Sequence, residues 1–337
     1  MSNLPLATFL FLGVIFVFFS GKNKIFTFFT IICLTVFSLI REEVQTPDYQ
    51  NYRIDYFSDK QSFEFGYNLL KILFSYFDLS FEFFMSVICF IYLLLIFLFI
   101  RKASIWHNVS YIMLSLLFIS YLYFLHGIVQ IRVGLGISIA LLFIYDKNVL
   151  KYLSFVFSVM IHQSLFVFSL YFMIKKFFIS FKSKMFYLIF IAMSYFIGVV
   201  FNSSRINEYF SFLSNYIPKI SHYYINTDVV NVFLGGKQIL LILFFMYIIC
   251  SSISREMTKR DILSFNVSFF SFCLFLLLSI SPSISYRIFE MFEIFTLISF
   301  CVLFKIKPIV GLIFSLGYMA LSIRAVFFIT NPLINIG

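Results

Sequence analysis

Residues 81–100 read FEFFMSVICFIYLLLIFLFI, with Glu82 as the sole charged side chain. A helix needs about 20 apolar residues to cross the hydrocarbon core of a bilayer, and this stretch has that length. Similar runs recur along the 337-residue chain, which is 62% hydrophobic and 12% charged. A soluble chain needs a more charged surface, and the runs lack the alternation of a membrane β-barrel. The sequence therefore predicts an all-α polytopic integral membrane protein.

We predict about ten transmembrane helices in a single transmembrane domain over residues 1–337. The predicted spans are residues 4–20, 24–40, 81–100, 109–126, 128–145, 185–201, 237–253, 262–279, 288–304 and 308–328. No basic residue precedes the first run, so we expect a retained span and not a cleaved signal peptide.

A polar interruption at His162, Gln163 and Ser164 divides the apolar stretch over residues 151–174. This stretch is either one tilted span or a re-entrant helical hairpin. Cytoplasmic loops carry an excess of Lys and Arg, and the hairpin places the lysine cluster after residue 174 on the same side as the other lysine-rich loops. We therefore favour the hairpin, with both chain termini outside.

This topology leaves two long exterior loops, residues 41–80 and 202–236. We expect an amphipathic surface helix near residues 65–77 in the first loop.

Arginine is concentrated on the predicted exterior side, whereas lysine predominates inside. A guanidinium group binds phosphate bidentately and stays charged when partly buried. We interpret several exterior arginines as a site for a doubly charged phosphate headgroup. The candidates are Arg132, Arg287, Arg205 and Arg324. The alternative is structural pairing with a neighbouring acid, such as Arg287 with Glu290 on one helix.

The first exterior loop carries Asp48, Tyr52 and Glu64. Carboxylates and tyrosines there are suited to binding sugar hydroxyls, and a carboxylate is a candidate general base. A solvated turn with an Asp-capped helix start is the alternative. In the second loop, Tyr223 is a candidate sugar contact, although aromatic belts at membrane interfaces explain it equally well.

His162 is a candidate because an ionisable residue inside a membrane is usually functional. Imidazole transfers protons near neutral pH. The alternative is a structural role in capping broken backbone at the hairpin turn. Glu293 has no obvious partner in the sequence, so we expect it to line a cavity.

The chain contains no CxxC, no HExxH and no glycine-rich phosphate loop. We read the five cysteines as buried small hydrophobic residues. We therefore predict no metal site, no cofactor and no nucleic-acid partner.

Four short motifs follow one another in order, and together they resemble a known family. They are Asp48-x-x-x-Tyr52, Glu64-Phe65-Gly66, Gln130-Ile131-Arg132-x-x-Leu135 and His162-x-Ser164. Their order and separation resemble the EpsG-like branch of bacterial surface-polysaccharide polymerases, the Wzy-type O-antigen polymerases. The motifs cover residues 40–175, and the length and hydropathy agree over the whole chain. Gly136 stands where the family usually has alanine.

The resemblance implies a membrane glycosyltransferase of the bacterial inner membrane with its active site on the periplasmic side. It would transfer a growing glycan from undecaprenyl pyrophosphate to another lipid-linked oligosaccharide repeat unit, without a cofactor. Membrane lipid is a further partner, and a chain-length regulator is a candidate partner.

We assign provisional roles on this basis. Arg132 and Arg287 bind pyrophosphate with Arg205 and Arg324 as weaker partners, Asp48 or His162 is the base, and Tyr52, Glu64 and Tyr223 hold sugar. The alternatives are a flippase or transporter of the lipid-linked oligosaccharide, an O-antigen ligase, and an outer-leaflet acyltransferase.

Overall fold

The computed structural model describes most of the chain as helix. The described residues are 4–21, 23–39, 47–58, 63–145, 149–168, 178–180, 183–201, 235–279 and 282–328. The chain divides into two compact units, one of residues 1–173 with 319–337 and the other of residues 174–318. Arg205, Tyr223 and nearly all of the second predicted exterior loop lie outside the described residues.

The first unit begins with eight helices, a π-helix and a 3-10 turn. They are α1 (Leu4–Ser20), α2 (Lys24–Phe37), α3 (Pro47–Tyr56), α4 (Phe65–Tyr76), α5 (Phe81–His107), α6 (Tyr111–Ser120), the π-helix Tyr123–Val129, α7 (Ile131–Leu142), α8 (Leu150–Ile161) and the 3-10 turn Gln163–Phe166. Side-chain caps start several of these helices. Ser80 accepts a hydrogen bond from the Phe83 N–H at the start of α5, and Ser110 accepts one from the Met113 N–H at the start of α6.

The second unit contains the remaining helices. They are α9 (Lys184–Phe201), α10 (Gly236–Cys250), the 3-10 turn Ile253–Arg255, α11 (Lys259–Leu277), α12 (Pro282–Ile306) and α13 (Pro308–Phe327), of which the residues from 319 onward belong to the first unit. The buried Asn266 on α11 accepts a hydrogen bond from the Tyr187 hydroxyl at 2.5 Å and donates to the Phe178 carbonyl at 2.7 Å. Such interhelical hydrogen bonds hold apolar helices in register.

Three described helices, α5, α11 and α13, have the length and composition needed to cross a bilayer. The pair formed by α6 and the π-helix, bent by 54°, is a fourth candidate if it is one span. Other apolar helical stretches are shorter, between 10 and 17 residues, and include Lys184–Val199 within α9. Together they describe a helical, membrane-embedded protein, and the larger predicted number of spans remains a prediction.

The structure corrects the predicted boundary between the spans 109–126 and 128–145. Helix α6 ends where Tyr121 leaves helical geometry, at φ −145° and ψ −61°. The π-helix then runs to Gln130, whose φ of −107° and ψ of 55° separate it from α7. Arg132 is therefore the second residue of α7 and does not lie a turn inside a longer span. Hydropathy gave no sign of these breaks, because the residues around them are as apolar as a continuous span.

The predicted amphipathic helix near residues 65–77 is confirmed as α4, and its polar side faces inward, whereas the exterior position of the loop stays a prediction. Its exposed side carries the apolar side chains Phe65, Leu69, Ile72, Leu73 and Tyr76, whereas Tyr67, Asn68 and Lys71 are buried. A helix with an outward apolar face is suited to lying in the membrane interface.

The buried Lys71 attaches α4 to α3. Its Nζ lies 3.2 Å from Asp55 Oδ2, and it also donates to the carbonyls of Asp55 at 2.5 Å and Ser58 at 3.0 Å. The carboxylate and the two carbonyls thus compensate the burial of the ammonium group. This connection positions the segment that precedes the candidate site.

Candidate functional site

The polar interruption in the sequence is a helix break in the structure. Helix α8 ends at Ile161, and His162 is extended, with φ −153° and ψ 113°. Its Nδ1 lies 3.4 Å from the Ser164 backbone nitrogen and 3.3 Å from Ser164 Oγ. The continuation of the predicted hairpin over residues 169–174 lies outside the described residues, so the re-entrant turn remains a prediction.

Glu64 joins two residues that are distant in the sequence. Arg132 Nη1 donates to Glu64 Oε2 at 2.6 Å. The other carboxylate oxygen, Oε1, lies 3.4 Å from His162 Nδ1 and accepts from the Gln163 N–H at 3.3 Å. These three ionisable side chains are between 10% and 15% exposed, so their mutual attraction is stronger than that of a fully solvated pair. We call Glu64, Arg132 and His162 the central cluster.

Three aromatic rings surround the guanidinium group of Arg132. Its Cζ lies 4.0 Å from the ring centroid of Phe63 and 5.8 Å from those of Tyr52 and Tyr67. Cation–π contacts of this kind stabilise a partly desolvated cation. Tyr52 and Tyr67 are 4% and 1% exposed, so the rings form a fixed support for Arg132.

Glycines allow the helices of the cluster to approach closely. A Cβ at Gly66 would lie 2.9 Å from the Met160 carbonyl oxygen on α8, and one at Gly134 would lie 2.5 Å from the His126 carbonyl oxygen. Small residues permit close backbone contact between membrane helices. These two glycines therefore help to place α4 and α7 so that Glu64 and Arg132 meet.

The position of Arg132 suits it to bind an anion. Its Nε is buried and has no hydrogen-bond partner among the residues that the structure describes. Arg132 also lies in the first turn of α7, where backbone N–H groups and the helix dipole favour negative charge. Because Glu64 engages only one of the guanidinium nitrogens, donors remain for a phosphate group.

His162 can adopt two arrangements with these neighbours. When Nδ1 is unprotonated it accepts from the Ser164 N–H, and when Nδ1 carries a proton it faces the negative charge of Glu64 Oε1 at 3.4 Å. In a neutral ring with the proton on Nδ1, Nε2 is unprotonated and is the ring nitrogen that can accept a proton from a hydroxyl group. The arrangement thus combines a cation that keeps unused donors with an imidazole that lies beside a carboxylate.

The first unit brings together four of the predicted site residues, Tyr52, Glu64, Arg132 and His162. Asp48 lies in the first turn of α3 and is partly exposed. The other predicted residues lie elsewhere in the chain. Arg287 is on α12 of the second unit, Arg324 is exposed near the end of α13, and Arg205 and Tyr223 are outside the described residues.

Glu293 corrects one expectation, because it has partners. Its Oε1 lies 2.6 Å from Lys237 Nζ and accepts from the Tyr318 hydroxyl at 2.7 Å. The interpretation of Glu293 as an unpaired cavity residue was wrong. Both partners lie on other helices of the second unit, so no local sequence pattern pointed to them.

Sequence reasoning gave no structural role to Phe63, Gly66 or Gly134. Phe63 lies next to Glu64 in the sequence, but among 53 phenylalanines its position carries no signal. Gly66 was visible within the Glu64-Phe65-Gly66 motif, and only its contact with α8 explains why a side chain does not fit there.

Comparison with known families gives one match. The model of the EpsG family matches residues 24–334 of the 337. No curated protein and no solved structure matched the chain. The apolar helices and the match together define a membrane-embedded protein of the polysaccharide polymerase-like kind. The chain belongs to the EpsG family, which confirms the resemblance in the sequence motifs.

Proposed function

We propose that this protein is an O-antigen, or related surface-polysaccharide, polymerase. It joins undecaprenyl-pyrophosphate-linked oligosaccharide repeat units by glycosyl transfer at the periplasmic face of the bacterial inner membrane. The observation that carries the proposal is the placement of Glu64 between Arg132 and His162. Membership of the EpsG family supports a polymerase-like function.

Arg132 binds the pyrophosphate of the donor lipid in this proposal. Its free donors and its permanent charge suit a phosphate oxygen. Negative charge develops on the pyrophosphate as the glycosidic C–O bond breaks, and a fixed cation in a poorly hydrated site stabilises that charge. Arg287, Arg205 and Arg324 remain proposed as further phosphate ligands.

His162 is the proposed general base. The Glu64 carboxylate, 3.4 Å from Nδ1, favours the tautomer with the proton on Nδ1. In that tautomer Nε2 is unprotonated, and this is the form that removes a proton from the acceptor sugar hydroxyl. The hydroxyl oxygen bonds to the anomeric carbon of the donor, pyrophosphate leaves with the bonding electron pair, and the proton stays on His162. Asp48 is the alternative base.

The structure changes what we propose for two predicted sugar ligands. Tyr52 is nearly buried beneath Arg132, and Glu64 is engaged by Arg132 and Gln163. We therefore propose that both are positioning residues. Tyr223 remains the proposed sugar contact.

The lengths of α7 and α8 support a site in the outer half of the membrane. Each has 12 residues and therefore extends about 18 Å. The segment that connects them carries Lys147 and is predicted to be cytoplasmic. In that predicted topology Arg132 and His162, at the opposite ends of these helices, are on the outer side of the midplane of a hydrocarbon core that is about 30 Å thick.

Deletion of the gene tests the proposed function directly. Surface polysaccharide from the deletion strain is displayed on a gel, and the strain is complemented with wild type, Arg132→Ala or Arg132→Lys. We expect the deletion to leave the lipid core with a single repeat unit and no ladder. We expect neither variant to restore the ladder at equal membrane expression, because lysine lacks the planar fork of arginine. Loss of the single-unit band as well would instead support a flippase or a ligase.

The proposed role of His162 as a base is tested by comparing two variants. His162→Asn removes the base, and Gln163→Ala changes only the exposed side chain beside it. General base catalysis typically contributes about 10²–10⁴-fold, so we expect a loss of polymer of this order for His162→Asn and near wild-type polymer for Gln163→Ala. Equal ladders from both variants would leave Asp48 as the proposed base.

A further inference from the structure

We propose that an apolar groove in the first unit binds the polyprenyl chain of the lipid whose headgroup lies at Arg132. The groove is a cavity of about 640 Å³ between α4, α7 and α8, with Ile91 of α5 at its wall. This inference rests on the proposed function, since it names where the lipid part of the same substrate lies. Nothing in the family match assigns this groove.

The composition of the groove fits a hydrocarbon chain. Helix α7 contributes Leu135, Ile139 and, just past its end, Phe143. Helix α8 contributes mainly leucine, phenylalanine and isoleucine, and its Ser154 uses its hydroxyl on the Lys151 carbonyl of the same helix. A wall without free polar groups binds apolar chains and disfavours the sugar part of the substrate.

Several residues that line the groove are close neighbours of the central cluster in the sequence. Arg132, Leu135, Ile139 and Phe143 follow one another at the spacing of one helix face. On α8, the lining residue Ile161 directly precedes His162, and on α4 the lining residue Phe65 directly follows Glu64. We therefore place the headgroup end of the groove next to the proposed pyrophosphate site.

The direction and length of the groove fit a lipid of the outer leaflet. From Arg132 to Phe143 the helix rise amounts to about 16 Å, roughly half of the hydrocarbon core. In the predicted topology the headgroup end faces outward and the other end faces the cytoplasmic turn. A lipid held there has its pyrophosphate at Arg132 and the first part of its chain along α7.

One side of the groove is open at the surface of the first unit. Leu153 and Phe157 of α8 are 48% and 56% exposed, and Leu69 of α4 is 53% exposed, while all three line the groove. In a membrane this side faces lipid. A long isoprenoid can therefore enter sideways and leave its distal part in the bilayer.

The charge of the lipid headgroup at Arg132 favours a polyprenyl pyrophosphate over an ordinary phospholipid as the lipid in the groove. Arg132 presents a partly desolvated guanidinium with an unpaired buried Nε among the described residues. A pyrophosphate carries more charge than a phosphodiester and gains more from this cation. We therefore commit to the polyprenyl pyrophosphate.

Photo-cross-linking with a polyprenyl pyrophosphate that carries a diazirine in the chain tests the groove without measuring activity. The probe is added to the purified full-length protein in nanodiscs, and labelled peptides are mapped by mass spectrometry. Ile139→Trp and Leu153→Trp fill the groove, and the half-exposed Leu153 tolerates a larger side chain without refolding of the core. The matched control is Ile189→Trp, on an exposed position of α9 in the second unit.

We expect labels on α7 and α8, reduced at least about fivefold by either groove variant and unchanged by the control. Unlabelled polyprenyl pyrophosphate should compete, and phosphatidylglycerol at the same concentration should not. Labels confined to other helices, equal labelling of Leu153→Trp and Ile189→Trp, or equal competition by phosphatidylglycerol would overturn the proposal.

Different results would contradict the groove proposal and the proposed function. If the groove is labelled but deletion of the gene leaves the ladder intact, the lipid site is supported and the polymerase function is contradicted. Loss of the ladder on deletion, with the label elsewhere, would support the polymerase and overturn the groove.

Discussion

The carboxylate of Glu64 and the guanidinium of Arg132 lie 2.6 Å apart, although 68 residues separate them in the chain. Glu64 immediately precedes the surface helix α4, and Arg132 is in the first turn of α7. The pair therefore links the start of α4 to the start of α7. It also occupies part of the surface that the proposed pyrophosphate would contact.

Replacing Glu64 by Gln removes the charge and keeps the shape of the side chain. Hydrogen bonds to charged groups contribute about 1.5–3 kcal/mol, so we expect a loss of polymerisation of roughly ten- to hundredfold. The proposed orienting effect on His162 is lost as well. Polymer is measured on gels at equal membrane levels of the protein.

Glu82→Gln is the control for this variant. Glu82 is another glutamate at a helix start, in the first turn of α5, and it is outside the central cluster. Similar activities for Glu64→Gln and Glu82→Gln would argue against a positioning role for Glu64.

Gly134→Ala tests the close approach that places Arg132. The new Cβ would lie 2.5 Å from the His126 backbone oxygen, so α7 or the π-helix must shift. Overpacking of this kind costs about 1–3 kcal/mol. We expect a lower melting temperature in detergent together with a weaker polysaccharide ladder.

Gly13→Ala provides the comparison in α1. There the new Cβ would meet side-chain atoms and no backbone atom among its nearest neighbours, with Leu34 Cδ2 at 3.2 Å and Cys33 Cβ at 3.5 Å. Alanine is favoured over glycine inside a helix by about 0.5–1 kcal/mol. A destabilisation as large as that of Gly134→Ala would contradict the importance of the contact with His126.

Lys71→Met tests the buried connection between α3 and α4. The side chains of Lys71 and Asp55 are 9% and 2% exposed, and removing one partner of a buried pair costs about 3–5 kcal/mol. We expect reduced thermal stability and faster proteolysis of the segment before the site.

The double variant Lys71→Met with Asp55→Leu should recover part of the loss, since no buried charge then remains. Lys307→Met, at an exposed position, is the control and should match wild type. Equal stability of Lys71→Met and Lys307→Met would show that the buried pair contributes little.

Some features of the site were readable in the sequence because their signals are local. The helix break at His162 follows from three consecutive polar residues in an apolar run, and the amphipathic helix α4 follows from its apolar spacing. The motifs around Glu64, Arg132 and His162 indicated the family. The inward direction of Lys71 was not readable, because its partner Asp55 lies on another helix.

The sequence by itself determined that this protein is membrane-embedded, that it is helical, and which family it belongs to. Hydropathy and short motifs are properties of contiguous residues, so they can be read without a structure. Only the tertiary structure decided that Glu64 binds Arg132 and contacts His162, and that α7 begins at Ile131. It also showed that Glu293 is paired with Lys237. The physical reason is that ion pairs and helix breaks depend on which helices pack together, and a uniformly apolar sequence does not encode this in any single segment.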